Sequence, residues 1–170
     1  MPIDFRIDRR RKLVLAIPRG LLTHEEMVAY QKEVWTRPEV AGFDELIDMT
    51  FVDRLDLRSP DQIFELAALS AKLDLGQPPS RMAIVATDRL HVALGRMYRA
   101  SREASPSHQR EIEIFPTIEA ARDWLRARPR SPAEKTPLRA AGPRASRRPG
   151  APKGGRPASA GPLKGRRTRP

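Results

Sequence analysis

The sequence predicts an α/β fold: one domain, with a mixed sheet of about five strands and about four helices in the order ββαβαβα. Three features predict it. Apolar residues alternate with polar ones near the start of the chain, apolar stripes at helical spacing follow helix-cap signals, and short apolar runs bounded by turn residues separate those stripes. Strands that alternate with helices pair in parallel across each crossover, while a short connection at the start makes the first pair antiparallel.

The first strand sets Ile3, Phe5 and Ile7 against Asp4, Arg6 and Asp8. After the charged turn Arg9-Arg10-Arg11-Lys12, residues 13–17 form the second strand, which Pro18-Arg19-Gly20 stops, and the two pair as a hairpin. Thr23 stands three residues before Glu26, so hydroxyl and carboxylate each satisfy a free amide where a helix begins. In this helix Met27, Tyr30, Val34 and Trp35 face inward, Glu25, Gln31, Lys32 and Glu33 face outward, and Pro38 with Gly42 closes the segment. Residues 43–49 read as an interior third strand. Ser59 caps the next helix, with Pro60 at its first position and Gln62 three residues on. Ile63, Leu66, Ala67, Leu69 and Leu73 are its apolar stripe, and Gly76 with Pro78-Pro79 ends it.

Residues 81–86 are a nearly all-apolar run, as expected of a strand covered on both faces. Asp88 caps a helix bearing Leu90, Ala93, Leu94 and Met97, which runs out by Ser105-Pro106. Residues 111–115 alternate as an outer strand does, and Thr117 caps a last helix with Ile118, Ala121, Trp124 and Leu125 inside. Residues 128–170 share none of this periodicity. Built of Arg, Pro, Gly, Ala and Ser, they bury too little apolar surface to offset the entropy of ordering, and are expected to be disordered. The domain is therefore expected over residues 1–127.

Charge divides at the same place. Residues 128–170 hold thirteen Lys and Arg against the single acid Glu134, which makes them +12 within a chain whose formal charge is +11. Residues 1–127 are then −1, so attraction to a polyanion belongs to the tail. The chain has no cysteine, which excludes disulfides, thiol nucleophiles, thiolate zinc sites and cysteine-bound iron-sulfur clusters. The opening residues lack the order of a secretory signal, and no apolar run approaches the roughly 20 residues that span a bilayer. The expectation is a soluble, cytoplasmic protein.

The hairpin, the Leu46-Ile47-Asp48 strand, the Arg81-Met82-Ala83-Ile84-Val85 strand and the closing stretch from Phe115 to Leu125, an aromatic before a Thr-x-x-Glu/Ala-Ala-x-x-Trp-Leu helix, carry a likeness over residues 3–126. In them the chain resembles the STAS/SpoIIAA-like domains. The resemblance implies a compact α/β domain, and its better-studied members, the anti-sigma factor antagonists, imply a protein-binding regulator switched by phosphorylation of a serine at a helix start. The matching stretch here reads Asp53-Arg54-Leu55-Asp56-Leu57-Arg58-Ser59-Pro60, without the Asp-Ser-Ser/Thr-Gly of that subfamily, so only Ser59 carries over as a candidate phosphosite.

Asp48, Asp53 and Asp56 follow the third strand near the carboxyl edge of the sheet, where α/β proteins place ligands. Their oxygens suit hard cations, but no fixed ligand spacing accompanies them, and turn and cap roles account for them. Ser59 as a cap needs no signalling role, although a helix start also favours a phosphoryl group. His24, His91 and His108 are the only imidazoles; the first two fall in first turns of helices, positions that are often exposed. No Gly-x-Ser-x-Gly elbow accompanies them, and neither Gly-x-Gly-x-x-Gly nor a Walker sequence is present. No catalytic motif and no cofactor is assigned. Trp35, Trp124, Tyr30 and Tyr98 read as core, with room for a small apolar pocket between helices and sheet. In the tail Arg144, Arg147, Arg148, Lys153, Arg156, Lys164, Arg166, Arg167 and Arg169 can contact a phosphate backbone, without interleaved aromatics for base stacking.

Three functions follow in order. The first is a non-enzymatic STAS-like regulatory or protein-interaction module, binding a protein through its sheet edge or helix face with the tail adding electrostatic affinity. The second is a nucleic-acid-associated protein whose tail binds phosphates and whose body supplies targeting or a homodimer. The third is a carrier of an apolar ligand or lipid.

Overall fold

The computed structural model describes residues 3–57, 59–106 and 109–127. All of them fall in the first of the two units into which the chain divides, Met1–Arg130 and Ser131–Pro170. The expectations for residues 128–170, including every tail cation, lie outside the described residues.

The hairpin forms as expected from strands β1 (Ile3–Asp8) and β2 (Leu13–Pro18), paired antiparallel from Ile3 opposite Pro18 to Asp8 opposite Leu13. Asp8 shapes its turn, its Oδ1 accepting from the amides of Arg10 at 3.0 Å and Arg11 at 3.1 Å, and Lys12 takes the left-handed backbone that closes it. Helix α1 (His24–Trp35) starts on the expected reciprocal cap, Glu26 N–H to Thr23 Oγ1 at 3.2 Å and Thr23 N–H to Glu26 Oε2 at 3.0 Å. A 3₁₀ turn at Pro38–Val40 leads into β4 (Asp44–Asp48), and a second at Met49–Phe51 leads out of it. Next come α2 (Asp61–Leu73), β6 (Ser80–Val85), α3 (Arg89–Glu103), β7 (Arg110–Phe115) and α4 (Ile118–Arg126).

The main sheet has the order β1-β2-β4-β6-β7, antiparallel at its first pair and parallel thereafter. Its strands and the helices run ββαβαβαβα: the five strands and four helices counted in the sequence are present, and the expected order ββαβαβα is corrected by one further βα unit. Two further strands, β3 (Gly20–Thr23) and β5 (Val52–Asp56), pair in parallel as a separate ribbon. Neither is predicted from the sequence, since each is short, β5 is mostly charged, and Gly20 turns the chain with a positive φ two residues after Pro18.

Successive right-handed crossovers that step across a sheet in one direction put their helices on one face. Accordingly α1, α2 and α3 cover one face, where Val14, Tyr30, Val34, Leu66, Met82 and Ile112 are buried. Helix α4 covers the other, against Leu46, Ala83 and Val85. Gly95 lets α3 approach closely, since a Cβ there would meet Ile114 Cγ1 at 3.3 Å. Among the described residues no helix is long and apolar enough to cross a membrane.

Four expectations are corrected. Gln31 is buried, because it lies four residues after Met27 and one after Tyr30, inside the stripe those residues define. Helix α3 turns His91, Tyr98 and Arg102 inward, while Leu90 and Ala93 are exposed, and the buried set keeps the helical spacing with polar members. His91 is therefore interior despite its place in a first turn. Helix α2 begins with Pro60 at the cap position and no side-chain cap; Ser59 contributes only its carbonyl, which accepts from the Gln62 amide at 3.2 Å.

Candidate functional site

A cavity of about 110 Å³ lies between the sheet and α1 to α3, partly open to solvent. It runs along the strands. Toward their carboxyl ends it is bounded by Pro18, Met49, Leu55, Leu57, Ile63 and His91, and its middle by Met27, Ile47, Leu66, Ile84 and Leu94. Toward their amino ends it meets Tyr30, Gln31, Glu45, Met82 and Tyr98. The walls are almost wholly apolar, and polar atoms gather at that amino end.

That end rests on buried charges of alternating sign. Glu45, at the start of the central strand β4, accepts from the Tyr30 hydroxyl at 2.7 Å and from Arg110 Nη1 at 2.8 Å. Arg110 also pairs with Asp74 at 3.4 Å, donates through Nε to Ser80 Oγ at 3.1 Å, and lays its guanidinium 3.9 Å from the centre of the Trp35 ring. Asp74 in turn pairs with the fully buried Arg102. Burial pushes the Glu45 carboxyl up from the usual carboxylate range, while Arg110 and the Tyr30 hydroxyl pull it back. Burial, and then the charge of Glu45, hold the Tyr30 phenol well above its ordinary value. Burial also raises Tyr98, whose hydroxyl lies beside Ser70 without reaching hydrogen-bonding geometry.

Sequence patterning does not single this network out, because Glu45, Asp74, Arg102 and Arg110 are charged and fall outside the apolar periodicity. The available signal was register. Glu45 stands two residues before Ile47 on one face of a central strand, and Arg102 four residues after Tyr98 on one face of a helix.

The residues singled out by sequence are not gathered by the fold. Asp48 is buried at the end of β4 and caps the following 3₁₀ turn, its Oδ1 accepting from the Thr50 amide at 3.1 Å. Asp53 and Asp56 are exposed on the β5 ribbon, and Ser59 lies beyond it in the approach to α2. Among the described residues no three His, Asp or Glu come within reach of one metal ion. His24 is 3.7 Å from the exposed carboxylate of Glu65, and His108 lies outside the described residues. Large apolar side chains are exposed instead: Leu21 at 42%, Phe51 at 48%, Phe64 at 47%, Leu75 at 65% and Leu90 at 56%. By topology all but Leu75, which follows the end of α2, sit in the elements that leave or enter at the carboxyl edge of the sheet.

No family model and no curated protein matches the chain. Among solved structures it is similar to an uncharacterized protein of the DUF3478 family with a SpoIIAA-like fold from Shewanella loihica PV-4, at 24% identity and a TM-score of 0.47, over 72% of this chain and 93% of that one. It is also similar to the anti-sigma factor antagonist SpoIIAA in its unphosphorylated form, at 12% identity and a TM-score of 0.46, over 74% of this chain and 98% of that one.

Proposed function

We propose that the folded body is a non-enzymatic binding module whose bound species is a small apolar molecule held between the sheet and α1 to α3. The observation that carries this reading is the cavity. Protein interiors are normally filled to the density of organic crystals, yet here twenty residues from nine elements and their connections surround open space. Apolar cavities of this order take up apolar molecules. Met27, Met49 and Met82 line it with flexible, polarizable side chains that adapt to a guest. Benzene is the test ligand. It is expected to raise the melting temperature of the full chain progressively with concentration, logarithmically once the site is saturated, as a ligand that binds only the native state must. Filling the space with Ala16→Leu is expected to abolish that rise without lowering the ligand-free melting temperature. A wild-type melting temperature that benzene leaves unmoved sinks the reading.

A protein-facing role for the same module is the second reading, and the exposed Leu21, Phe51, Phe64 and Leu90 favour it. Exposed apolar groups in one region of a surface mark interaction sites more often than chance. The simplest partner is a second copy. Sedimentation across a concentration series is expected to show self-association that Phe51→Glu and Phe64→Glu together remove, and a monomer at every concentration counts against a homodimer.

A further inference from the structure

The cavity also holds two buried polar groups without partners, and they differ in kind. Gln31 is 7% exposed, lines the space, and its side-chain oxygen accepts no hydrogen bond. Tyr98 is 6% exposed, lines the same space, and its hydroxyl has no partner. One is a free acceptor and the other a free donor. Buried polar atoms in native proteins are almost always paired, so each orphan calls for an explanation.

Both groups lie toward one end of the cavity. Helices α1 and α3 run back along strands that are parallel to one another, so their late turns, which carry Gln31 and Tyr98, both approach the amino ends of the strands. Glu45 begins β4 at that same end, and its oxygens are already taken by Tyr30 and Arg110. Arg110 and Arg102 are paired with Glu45 and Asp74, and neither lines the cavity. An anionic head group would therefore meet a carboxylate and find no free cation. Of the remaining walls only His91, at the carboxyl end, adds a polar side chain to carbon and sulfur. The volume is also limiting: about 110 Å³ stands against the roughly 150 Å³ of an engineered cavity that takes one benzene, so the guest is the size of a single ring.

We propose, building on the reading above, that the cavity binds a small neutral molecule with one hydroxyl on an otherwise apolar body, a phenol or an alcohol of similar size, the hydroxyl donating to Gln31 and accepting from Tyr98. A hydroxyl supplies both missing partners at once, donor and acceptor on a single atom. A site built around hydrogen bonds rejects the analogue that lacks them, because its own polar groups are then left unpaired.

The test compares phenol, benzene and benzoate at neutral pH on the full chain, read by the ¹³C-methyl signals of Met27, Met49 and Met82, with Met1 and Met97 as references. Phenol is expected to bind at least about tenfold more tightly than benzene, and benzoate more weakly than phenol. In Gln31→Leu and in Tyr98→Phe the advantage of phenol is expected to fall to within about threefold while benzene binding is retained. Tyr98→Phe removes one hydroxyl, from beside Ser70, and leaves the ring in place, so it decides the matter alone if Gln31→Leu fails to give a native melting curve. Equal binding of phenol and benzene, tighter binding of benzoate, or a preference that survives both substitutions overturns the inference and leaves the apolar cavity standing. If neither benzene nor phenol moves the three methionines, both fall.

Discussion

At the scale of single residues, the buried charges decide more than their number suggests. Arg110 faces two carboxylates, a serine and an indole at once, so replacing it leaves Glu45 buried without a cation and Asp74 with Arg102 alone. Removing one partner of a buried pair costs roughly 3–5 kcal/mol, and Arg110→Met is expected to lose that much in urea unfolding. Arg110→Lys should recover less than half of it, because an ammonium neither forks between two acceptors nor stacks on Trp35. Replacing Glu45 and Arg110 together by apolar residues should cost less than the sum of the single changes, the sign that they act as a pair. An equal loss for Arg110→Lys and Arg110→Met would leave the charge itself without a role. This network shows what sequence reading could not reach. The positions of Glu45 and Gln31 in a strand and a helix were legible, but apolar periodicity counts only apolar residues, so a polar side chain on the inner face reads as surface until its partner is known. Those partners are far off in sequence: Glu45 meets Arg110, and Asp74 meets Arg102.

At the scale of elements, helix starts were the most legible feature, because a cap is a local bond between residues two or three apart. Thr23, Asp88 and Thr117 all cap as read. Ser59 does not: Pro60 itself takes the cap position, and Ser59 offers the Gln62 amide its carbonyl rather than its hydroxyl. Thr23→Ala is accordingly expected to cost about 1 kcal/mol, and Ser59→Ala to stay within about 0.5 kcal/mol of wild type; similar losses for the two would contradict these assignments. Asp88 carries a pH signature. Hydrogen bonds from the His91 and Leu90 amides hold its carboxyl below the usual carboxylate range. A carboxyl whose pKa is lower in the folded state binds fewer protons there, so its contribution is complete above the unfolded value near 3.9 and is lost as pH falls through the folded one. Asp88→Asn keeps the capping oxygen but cannot titrate, so stability near neutrality should hold and the acid limb of unfolding should become shallower. An unchanged acid limb would rule out Asp88 as a source of the acid sensitivity. The β3–β5 ribbon marks the limit at this scale. Val52-Asp53-Arg54-Leu55-Asp56 has too few apolar residues to announce a strand, and it pairs only because β3 arrives from thirty residues earlier in the chain.

At the scale of the whole molecule, the fold was legible because the order of strands and helices, with a short hairpin first, leaves few topologies once crossovers are right-handed. The cavity was not, since a void is a property of side chains from many elements failing to meet. Charge is the other whole-molecule quantity, and it separates two kinds of binding that would otherwise be confused. Residues 1–127 carry −1 and residues 128–170 carry +12, so any affinity for a polyanion must come almost entirely from the tail, while the cavity must be indifferent to salt. Duplex DNA and RNA titrated with the full chain and with residues 1–127 over a salt series check this. If the nine tail cations from Arg144 to Arg169 all neutralise phosphates, the logarithm of affinity should fall with that of salt at a slope of about −8 for duplex DNA, and the shorter chain should show no binding. Benzene binding should be the same for both chains at every salt concentration, because burial of an uncharged ring releases no counterions. Nucleic-acid binding retained by residues 1–127 would move the polyanion site into the nearly neutral body. Absence of binding by either chain at physiological salt would reduce the tail to a solvated extension and leave the cavity and the exposed carboxyl-edge residues as the surfaces through which this protein acts.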